Sequence, residues 1–129
     1  MREILFRGKL TSGKGWSYGN LVVNTQGVTI ITPDKSLIGK YGQVDPETVG
    51  QFTGLTDKND KRIFEGDILG FHTQSDILVN LCVVSWDDRD ACWTLKMKTM
   101  SPRFFMHNPK AVEIIGNIHD NPELLEDTK

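Results

Sequence analysis

The sequence predicts a small, mainly β protein, built as an antiparallel barrel or sandwich of short strands. Apolar and polar residues alternate in short runs, which is the period-two pattern of strands with one buried face. Clusters of Gly, Pro, Asn and Asp separate these runs and are typical of tight turns. No window sustains the 3.6-residue period of a long helix, which argues against a parallel α/β sheet. We therefore expect no helix longer than about eight residues.

The N-terminal part of the chain is predicted to hold four strands and one helical turn. The strands are "EILFRG" (3–8), "WSYGNLVVN" (16–24), "GVTIIT" (27–32) and "QFTGL" (51–55). The sequence "SGKG" (12–15) indicates a turn before the second strand. Asp45 and Pro46 suit the N-cap and first position of a helix, but Gly50 follows so soon that we expect a single α or 3₁₀ turn.

The central segment "TGLTDKNDKRIFEGDIL" (53–69) predicts two strands with a sharp turn after each. Asn59-Asp60 stands where Asn-Gly is the preferred two-residue hairpin turn, so we expect a type I′ turn with Asp60 at positive φ. In the second turn, Gly66 supplies conformational freedom and the Asp67 carboxylate can accept bonds from nearby backbone N–H groups. The segment is therefore interpreted as folding chemistry rather than as a catalytic site.

The C-terminal part continues the strand pattern and ends in a predicted short helix. The strands are "ILGF" (68–71), "LVNLCVVSW" (78–86), "CWTLKMK" (92–98) and "VEIIGNI" (112–118). In the strand 92–98, Trp93, Leu95 and Met97 should share one face. In "NPELLED" (121–127), Asn121 and Pro122 have the residue types of an N-cap and a first helical position.

Composition predicts one globular domain, 1–129, in a cytoplasm. The 129 residues are 38% hydrophobic and 25% charged, and no apolar run is long enough to cross a bilayer. "MREILFRGKL" lacks the apolar core of a signal peptide, so Cys82 and Cys92 are expected to be reduced. The net charge of −2 does not favour nucleic acid. Residues 1–62 nevertheless hold nine Lys and Arg against six Asp and Glu, and the remainder holds six against eleven.

Motifs of catalysis and metal binding are absent from the sequence. His72, His107 and His119 form no spaced pair, and the acidic run 87–90 lacks the frame of a calcium loop. "SGKG" has a Lys between two glycines but lacks the Gly-Lys-Ser or Gly-Lys-Thr of a phosphate-binding loop, and Gly-x-Ser-x-Gly does not occur. We therefore predict no catalytic residue, no metal, no cofactor and no enzymatic activity.

Only one stretch of the sequence, "KMKTMSPRFFMHNPK" (96–110), has a residue pattern that indicates a particular binding function. It contains no acid, and its candidate nucleic-acid contacts are Lys96, Lys98, Arg103, Phe104, Phe105 and Lys110. Cations neutralise phosphates and aromatic rings stack on bases, which is what single-stranded nucleic acid requires. The alternative is that Phe104 belongs to the core and the cations form a solvated rim.

Four stretches carry a likeness to a known family. They are "MREILFRGK", "GKGWSYGNLV", "VDPETVGQFTGLTDKNDKRIFEGDIL" and "EIIGNIHDNPELL". Over Met1 to about Leu125 the chain resembles the YopX family of phage and prophage proteins, except that Asn59-Asp60-Lys61 replaces the usual Asn-Gly-Lys. The resemblance implies a small antiparallel barrel or roll, similar to a Src-homology-3 domain, with extra hairpins. It implies no catalytic or cofactor-binding residue.

Three hypotheses about function follow. The first is a non-enzymatic phage or prophage accessory protein that binds a host or phage protein, or a second copy of itself, in the bacterial cytoplasm. Edge strands of a small barrel would allow such binding by strand addition. The second is a small barrel that binds single-stranded nucleic acid through residues 96–110. The third is a hydrolase whose site forms only in three dimensions. No membrane partner is expected.

Overall fold

The computed structural model describes most of the chain. The described ranges are 3–25, 29–32, 42–72, 78–97, 100–104 and 112–125. Contacts divide the chain into two compact units, Met1–Gly54 and Leu55–Lys129, which we describe separately.

The described part of the first unit consists of an antiparallel sheet and one 3₁₀ turn. Its strands are β1 (Phe6–Lys9), β2 (Trp16–Val23), β3 (Thr29–Thr32), β4 (Gly42–Gln43) and β5 (Gly50–Thr56), in the spatial order β4-β3-β2-β1-β5. The unit boundary falls inside β5, after Gly54. Lys9 lies opposite Trp16, and Arg7 lies opposite Tyr18, so these four side chains share one face of the sheet.

The 3₁₀ turn Pro46–Thr48 is capped by the Asp45 side chain and joined to β1 by the Thr48 side chain. Asp45 Oδ1 accepts a hydrogen bond from Glu47 N at 3.0 Å, which confirms the predicted N-cap. Thr48 Oγ1 donates to Asp45 O at 2.6 Å and accepts from Lys9 N at 2.8 Å. The turn therefore follows from a local capping sequence. Two long-range hydrogen bonds position it, since Lys9 N donates to Thr48 Oγ1 and Asp45 N donates to Lys9 O at 2.9 Å.

Close packing between Val44 and Gly8 of β1 also holds the segment that leads into this turn. Val44 is fully buried, and a Cβ atom added at Gly8 would lie only 2.9 Å from the Val44 side chain. Gly8 therefore stands at a position where a side chain would force Val44 to move.

The second unit contains the remaining strands. They are β6 (Arg62–Phe64), β7 (Asp67–His72), β8 (Leu78–Asp87), β9 (Cys92–Met97), β10 (Met100–Phe104) and β11 (Val112–Asn117). The last five form an antiparallel sheet in the order β10-β9-β8-β7-β11. Breaks in register occur between Gly70 and Phe71 and between Ile114 and Gly116, where bulges bend the strands.

The core of this unit lies on one face of that sheet. Buried side chains from alternate positions meet there: Ile63, Leu69, Cys82, Val84, Leu95 and Val112. Trp93 packs against this cluster, whereas Lys96 is exposed on the opposite face of β9. The predicted alternation of strand 92–98 is thus confirmed where its side chains are described. Thr94 departs from the simple pattern because it is buried on the face away from the cluster.

The turn between β5 and β6 differs from the predicted type I′ turn. Asp60 does have positive φ, at 63°, but the residue before it does not. The backbone bonds Asp60 N to Asp57 O and Asp57 N to Lys61 O enclose a three-residue loop. This is the geometry of a type I turn followed by a left-handed residue. The prediction was right about Asp60 and wrong about the turn type.

The antiparallel, mainly β class is confirmed, and two finer predictions are corrected. The sheets formed by the described residues are open, so a closed barrel is not found. The predicted C-terminal helix over 121–127 is a 3₁₀ turn, Pro122–Leu125, in the part that is described. Asn121 Oδ1 accepts from Asn117 N at 3.2 Å, so the expected cap is bonded back to the end of β11. The short edge strands β4 and β10 were not predicted.

Replacing Asp60 with Gly should stabilise the protein. Glycine removes the cost of a side chain at φ 63°, and we expect a net gain of about 0.5–1 kcal/mol, reduced by the greater entropy of the unfolded chain. Urea unfolding measures the change. Asp88→Gly is the matched control, because Asp88 is also exposed in a hairpin turn but is not at positive φ. Equal effects of the two substitutions would contradict the strain argument.

Candidate functional site

The structure describes only part of the candidate stretch 96–110. Lys96 is exposed on β9. The backbone of β10 places Arg103 opposite Leu95 and Phe104 opposite Thr94. Lys98, Phe105 and Lys110 lie outside the described residues, as do the side chains of Arg103 and Phe104. The proposed nucleic-acid contacts of this stretch therefore remain a prediction.

Asp57 is a fully buried carboxylate, and each of its two oxygens accepts hydrogen bonds from backbone N–H groups. Its Oδ1 atom accepts hydrogen bonds from Asn59 N at 2.8 Å and from Lys61 N at 2.9 Å. Its Oδ2 atom accepts from Ile114 N at 3.0 Å. One side chain thus holds the β5–β6 turn and binds that turn to β11.

The electrostatics of Asp57 suit this structural role. Burial acts to raise the pKa of the carboxyl group, since it disfavours the charged form. The three backbone donors and the positive charge of Lys61 outweigh burial and hold the pKa of Asp57 below its ordinary value. The carboxylate is therefore ionised and committed to the fold rather than available as a general base.

Asp67 has a comparable place in the second turn of the central segment. It is buried, and its Oδ2 atom accepts from Phe64 N at 2.8 Å, as the sequence predicted. Gly66 N donates to Val84 O, and Gly66 O accepts from Ile118 N, each at 2.9 Å. This turn consequently joins β6 and β7 to β8 and to the end of β11.

Neither cysteine has the character of a nucleophile. Both are free; burial raises the pKa of Cys82 to about 11. Desolvation and the nearby charges of Asp87 and Asp90 raise the pKa of Cys92. Both groups are thus thiols at neutral pH, which lowers their reactivity.

Metal-binding clusters and membrane-spanning helices are both absent from the described residues. These residues contain no group of three His, Cys, Asp or Glu side chains placed to hold a metal ion. Among the same residues, no helix has the length and apolar character needed to span a membrane.

An open groove of about 450 Å³ lies beside β1 in the first unit. Its lining includes Lys9, Gln43, Asp45 and Thr48. Asp45 and Thr48 already bond the backbone of the 3₁₀ turn, so the groove follows from the way that turn is fastened.

The β8–β9 hairpin has an exposed tryptophan at the end of the sheet face on which the core lies. We call this the tryptophan hairpin, residues 86–93. Trp86 and Trp93 lie directly opposite each other, with ring centroids 5.0 Å apart and planes at 73°. Trp93 packs against the core cluster, whereas Trp86 is 43% exposed. The apolar face of the sheet therefore extends beyond the part that the unit itself covers.

The tip of the tryptophan hairpin is acidic and well defined. Asp87 Oδ1 accepts from Arg89 N at 2.9 Å and from Asp90 N at 3.3 Å, and Ala91 completes the turn at φ 54°. Asp88 and Asp90 are exposed beside Arg89. The run that lacked a calcium frame is thus a turn that places negative charge next to the exposed Trp86.

The β1–β2 hairpin carries a second aromatic surface, in the first unit. Trp16 and Tyr18 point to the same face of β2, and Lys9 and Arg7 lie opposite them on β1. The guanidinium carbon of the buried Arg7 lies 4.8 Å from the centre of the Trp16 ring, and Tyr18 is 45% exposed. This surface was not predicted from the sequence, although residues 4–33 contain no Asp or Glu.

The fold and these surfaces define a mainly β protein of two compact units, whose described buried carboxylates serve the fold and whose exposed aromatic rings stand on hairpins. The chain belongs to the YopX protein family, since the family model matches residues 12–126. The resemblance seen in the sequence is thereby confirmed. No curated protein matches the sequence.

Replacing Asp57 with Asn should destabilise the protein and make its stability depend less on pH under acid conditions. The Asn amide has one acceptor oxygen, so it cannot serve both the turn and Ile114, and we expect a loss of about 1.5–3 kcal/mol at neutral pH. The pKa of Asp57 is lowered in the folded state. The ionised carboxylate therefore makes its full contribution to the free energy of unfolding above about pH 4, and this contribution disappears as pH falls through the folded-state pKa.

Urea unfolding between pH 7 and pH 3 measures this effect. The difference between wild type and Asp57→Asn should be largest at neutral pH and should narrow under acid conditions. Asp88→Asn is the control, since Asp88 is an exposed carboxylate of a hairpin tip. A difference that stays constant down to the acid end would contradict the role assigned to the ionised carboxylate.

Proposed function

We propose that this protein is a non-enzymatic accessory protein of phage or prophage origin that binds another protein in the cytoplasm of the bacterial host. The family resemblance supports the proposed origin, and the sequence composition supports the proposed location. The binding function is supported by one observation above the others, which is the exposed Trp86 at the end of the core face.

An exposed indole held in a fixed orientation is suited to a binding surface. Trp93 packs against the core and supports Trp86 edge to face, so little side-chain freedom remains to be lost on binding. Tryptophan is among the residues that contribute most to protein interfaces when a partner covers them. The pair also stabilises the hairpin, and the exposed part of Trp86 is the area left for a partner.

The charge beside Trp86 indicates what kind of partner fits. Asp87, Asp88 and Asp90 surround the tip with one intervening cation, Arg89. Complementary charge raises association rates and selects among partners. We therefore propose a partner with an apolar pocket and a positively charged rim. A second copy of the chain would present the same acidic tip, so we favour a different protein over a homo-oligomer at this surface.

Strand addition is a second way in which a protein partner could bind. In the part of the chain that is described, β10 pairs only with β9 and ends its sheet. The outer edge of β11, by contrast, is occupied by the turn that Asp57 holds. We propose β10 as the edge that would accept a strand, with Pro102 limiting the number of backbone donors that it offers.

We assign the Src-homology-3-like roll implied by the family to the second unit. That unit contains a five-stranded antiparallel sheet packed over one core, with bulges that bend β8 and β11. Bending of this kind is how a short sheet curves into a roll. An experimental structure that shows a flat sheet in this unit would overturn the assignment.

Replacing Trp86 with Ala should strongly weaken binding of the protein partner. Loss of a central tryptophan from an interface costs about 2 kcal/mol or more, which is roughly a 30-fold loss of affinity. The measurement is affinity capture from a bacterial lysate with quantitative mass spectrometry, followed by titration of the purified partner. Tyr18→Ala is the matched control, since it also removes an exposed aromatic ring but lies in the first unit.

Urea unfolding of Trp86→Ala shows whether the hairpin is retained. A partner that binds Trp86→Ala as tightly as wild type would contradict the proposed surface. Sedimentation over a concentration series tests the self-association alternative, because a dimer lost on Trp86→Ala substitution would make a second copy the partner.

A further inference from the structure

We propose that the β1–β2 hairpin is a stacking platform for single-stranded nucleic acid, formed by Trp16 and Tyr18 and flanked by Lys9 and Lys14. This proposal goes beyond protein binding through the tryptophan hairpin. It concerns a different surface in the other unit, so either proposal can fail alone.

The two rings stand next to each other on one face of the sheet. Trp16 and Tyr18 are two residues apart on one face of β2, which separates them by roughly 6.5–7 Å along the strand. Proteins that bind single strands on a sheet use aromatic rings on one face, on which splayed bases stack. Tyr18 is 45% exposed and offers the accessible ring, with Trp16 half-buried beside it.

Arg7 gives this surface a fixed geometry. Its guanidinium carbon lies 4.8 Å from the centre of the Trp16 ring, within the range of a cation–π contact. Arg7 is buried, so its own position is restricted, and the contact both restrains the Trp16 ring and adds positive charge to the platform. The Trp16 ring is therefore held in place before any ligand binds.

The charge of the hairpin suits a phosphate backbone. Between Phe6 and Val23 the chain has three cations, Arg7, Lys9 and Lys14, and no Asp or Glu. Lys9 lies opposite Trp16, and Lys14 is exposed in the turn that leads into β2. Cations therefore lie on both sides of the Trp16 position, where phosphates of a strand stacked on the rings would pass.

The platform continues along β2 in a way that can contact bases. Asn20 and Val22 are exposed at the next two positions of the same face. The Asn20 amide offers both a donor and an acceptor to a base edge, and Val22 offers apolar contact. This face combines stacking, charge and hydrogen bonding on one strand and its neighbour.

The test is fluorescence anisotropy with labelled oligothymidine and oligouridine of about twelve nucleotides, at about 50 and 200 mM salt. The two oligonucleotides distinguish DNA from RNA. Tyr18→Ala should weaken binding about 5- to 150-fold, the range expected for one stacked base, whereas Tyr18→Phe should retain it. With Lys9 and Lys14 as phosphate contacts, the log–log salt slope should be about −1.4, and Lys14→Ala should reduce its size by about 0.7.

Two further variants separate this platform from the other surfaces. Trp86→Ala should bind oligonucleotides like wild type, since Trp86 belongs to the second unit. The triple variant Lys96→Ala, Lys98→Ala, Arg103→Ala tests the stretch 96–110. Binding lost in that triple variant but unchanged in Tyr18→Ala would overturn the platform and favour the other stretch.

Intrinsic fluorescence gives a measurement that does not depend on the folding of Tyr18→Ala. In a Trp86→Phe, Trp93→Phe background, Trp16 is the remaining tryptophan, and stacked bases should quench it on binding. Absence of binding at low salt, or binding without quenching of Trp16, would overturn the proposal. A dimer of the protein that Tyr18→Ala disrupts would instead make this face a contact between two copies.

Discussion

The second unit depends on one buried carboxylate that serves three backbone donors. Asp57 closes the β5–β6 turn with one oxygen and holds Ile114 of β11 with the other. The adjacent Lys58 N donates to Val112 O at 3.0 Å, so the turn bonds the outer edge of β11 at two positions. A charge with no exposed surface is tolerated because its oxygens meet preorganised donors. The long central motif of the sequence thus has a structural explanation.

Local chemistry made much of this fold predictable, whereas long-range partners did not follow from the sequence. The Asp45 cap and the Asp67 acceptor serve donors only two or three residues away, so their spacing identified them. The Asp57 contact with Ile114 spans 57 residues, and nothing in the local pattern indicates it. The short strands β4 and β10 were missed for a related reason: one has two residues and the other contains Pro102.

The surfaces show the same limit of sequence reasoning. Alternation puts Trp86 on the face of Cys82 and Val84, but it cannot show that the core ends before Trp86. The Trp16 platform depends on the register that pairs Lys9 with Trp16, which the turn between β1 and β2 sets. The stretch 96–110 has the more obvious composition, yet the described geometry brings aromatic rings and cations together on the β1–β2 hairpin.

The bond between Asp57 and Ile114 also sets an order of events during synthesis. The ribosome makes Asp57 long before Ile114, so until residue 114 has left the exit tunnel the carboxylate has only its local donors. The second unit cannot complete its sheet during that interval, while every strand up to β4 is already available to fold. A chain released before β11 would keep an unfinished sheet, with its β7 edge open to pairing with other chains. Cellular proteases would then degrade truncated chains more readily than the full-length protein.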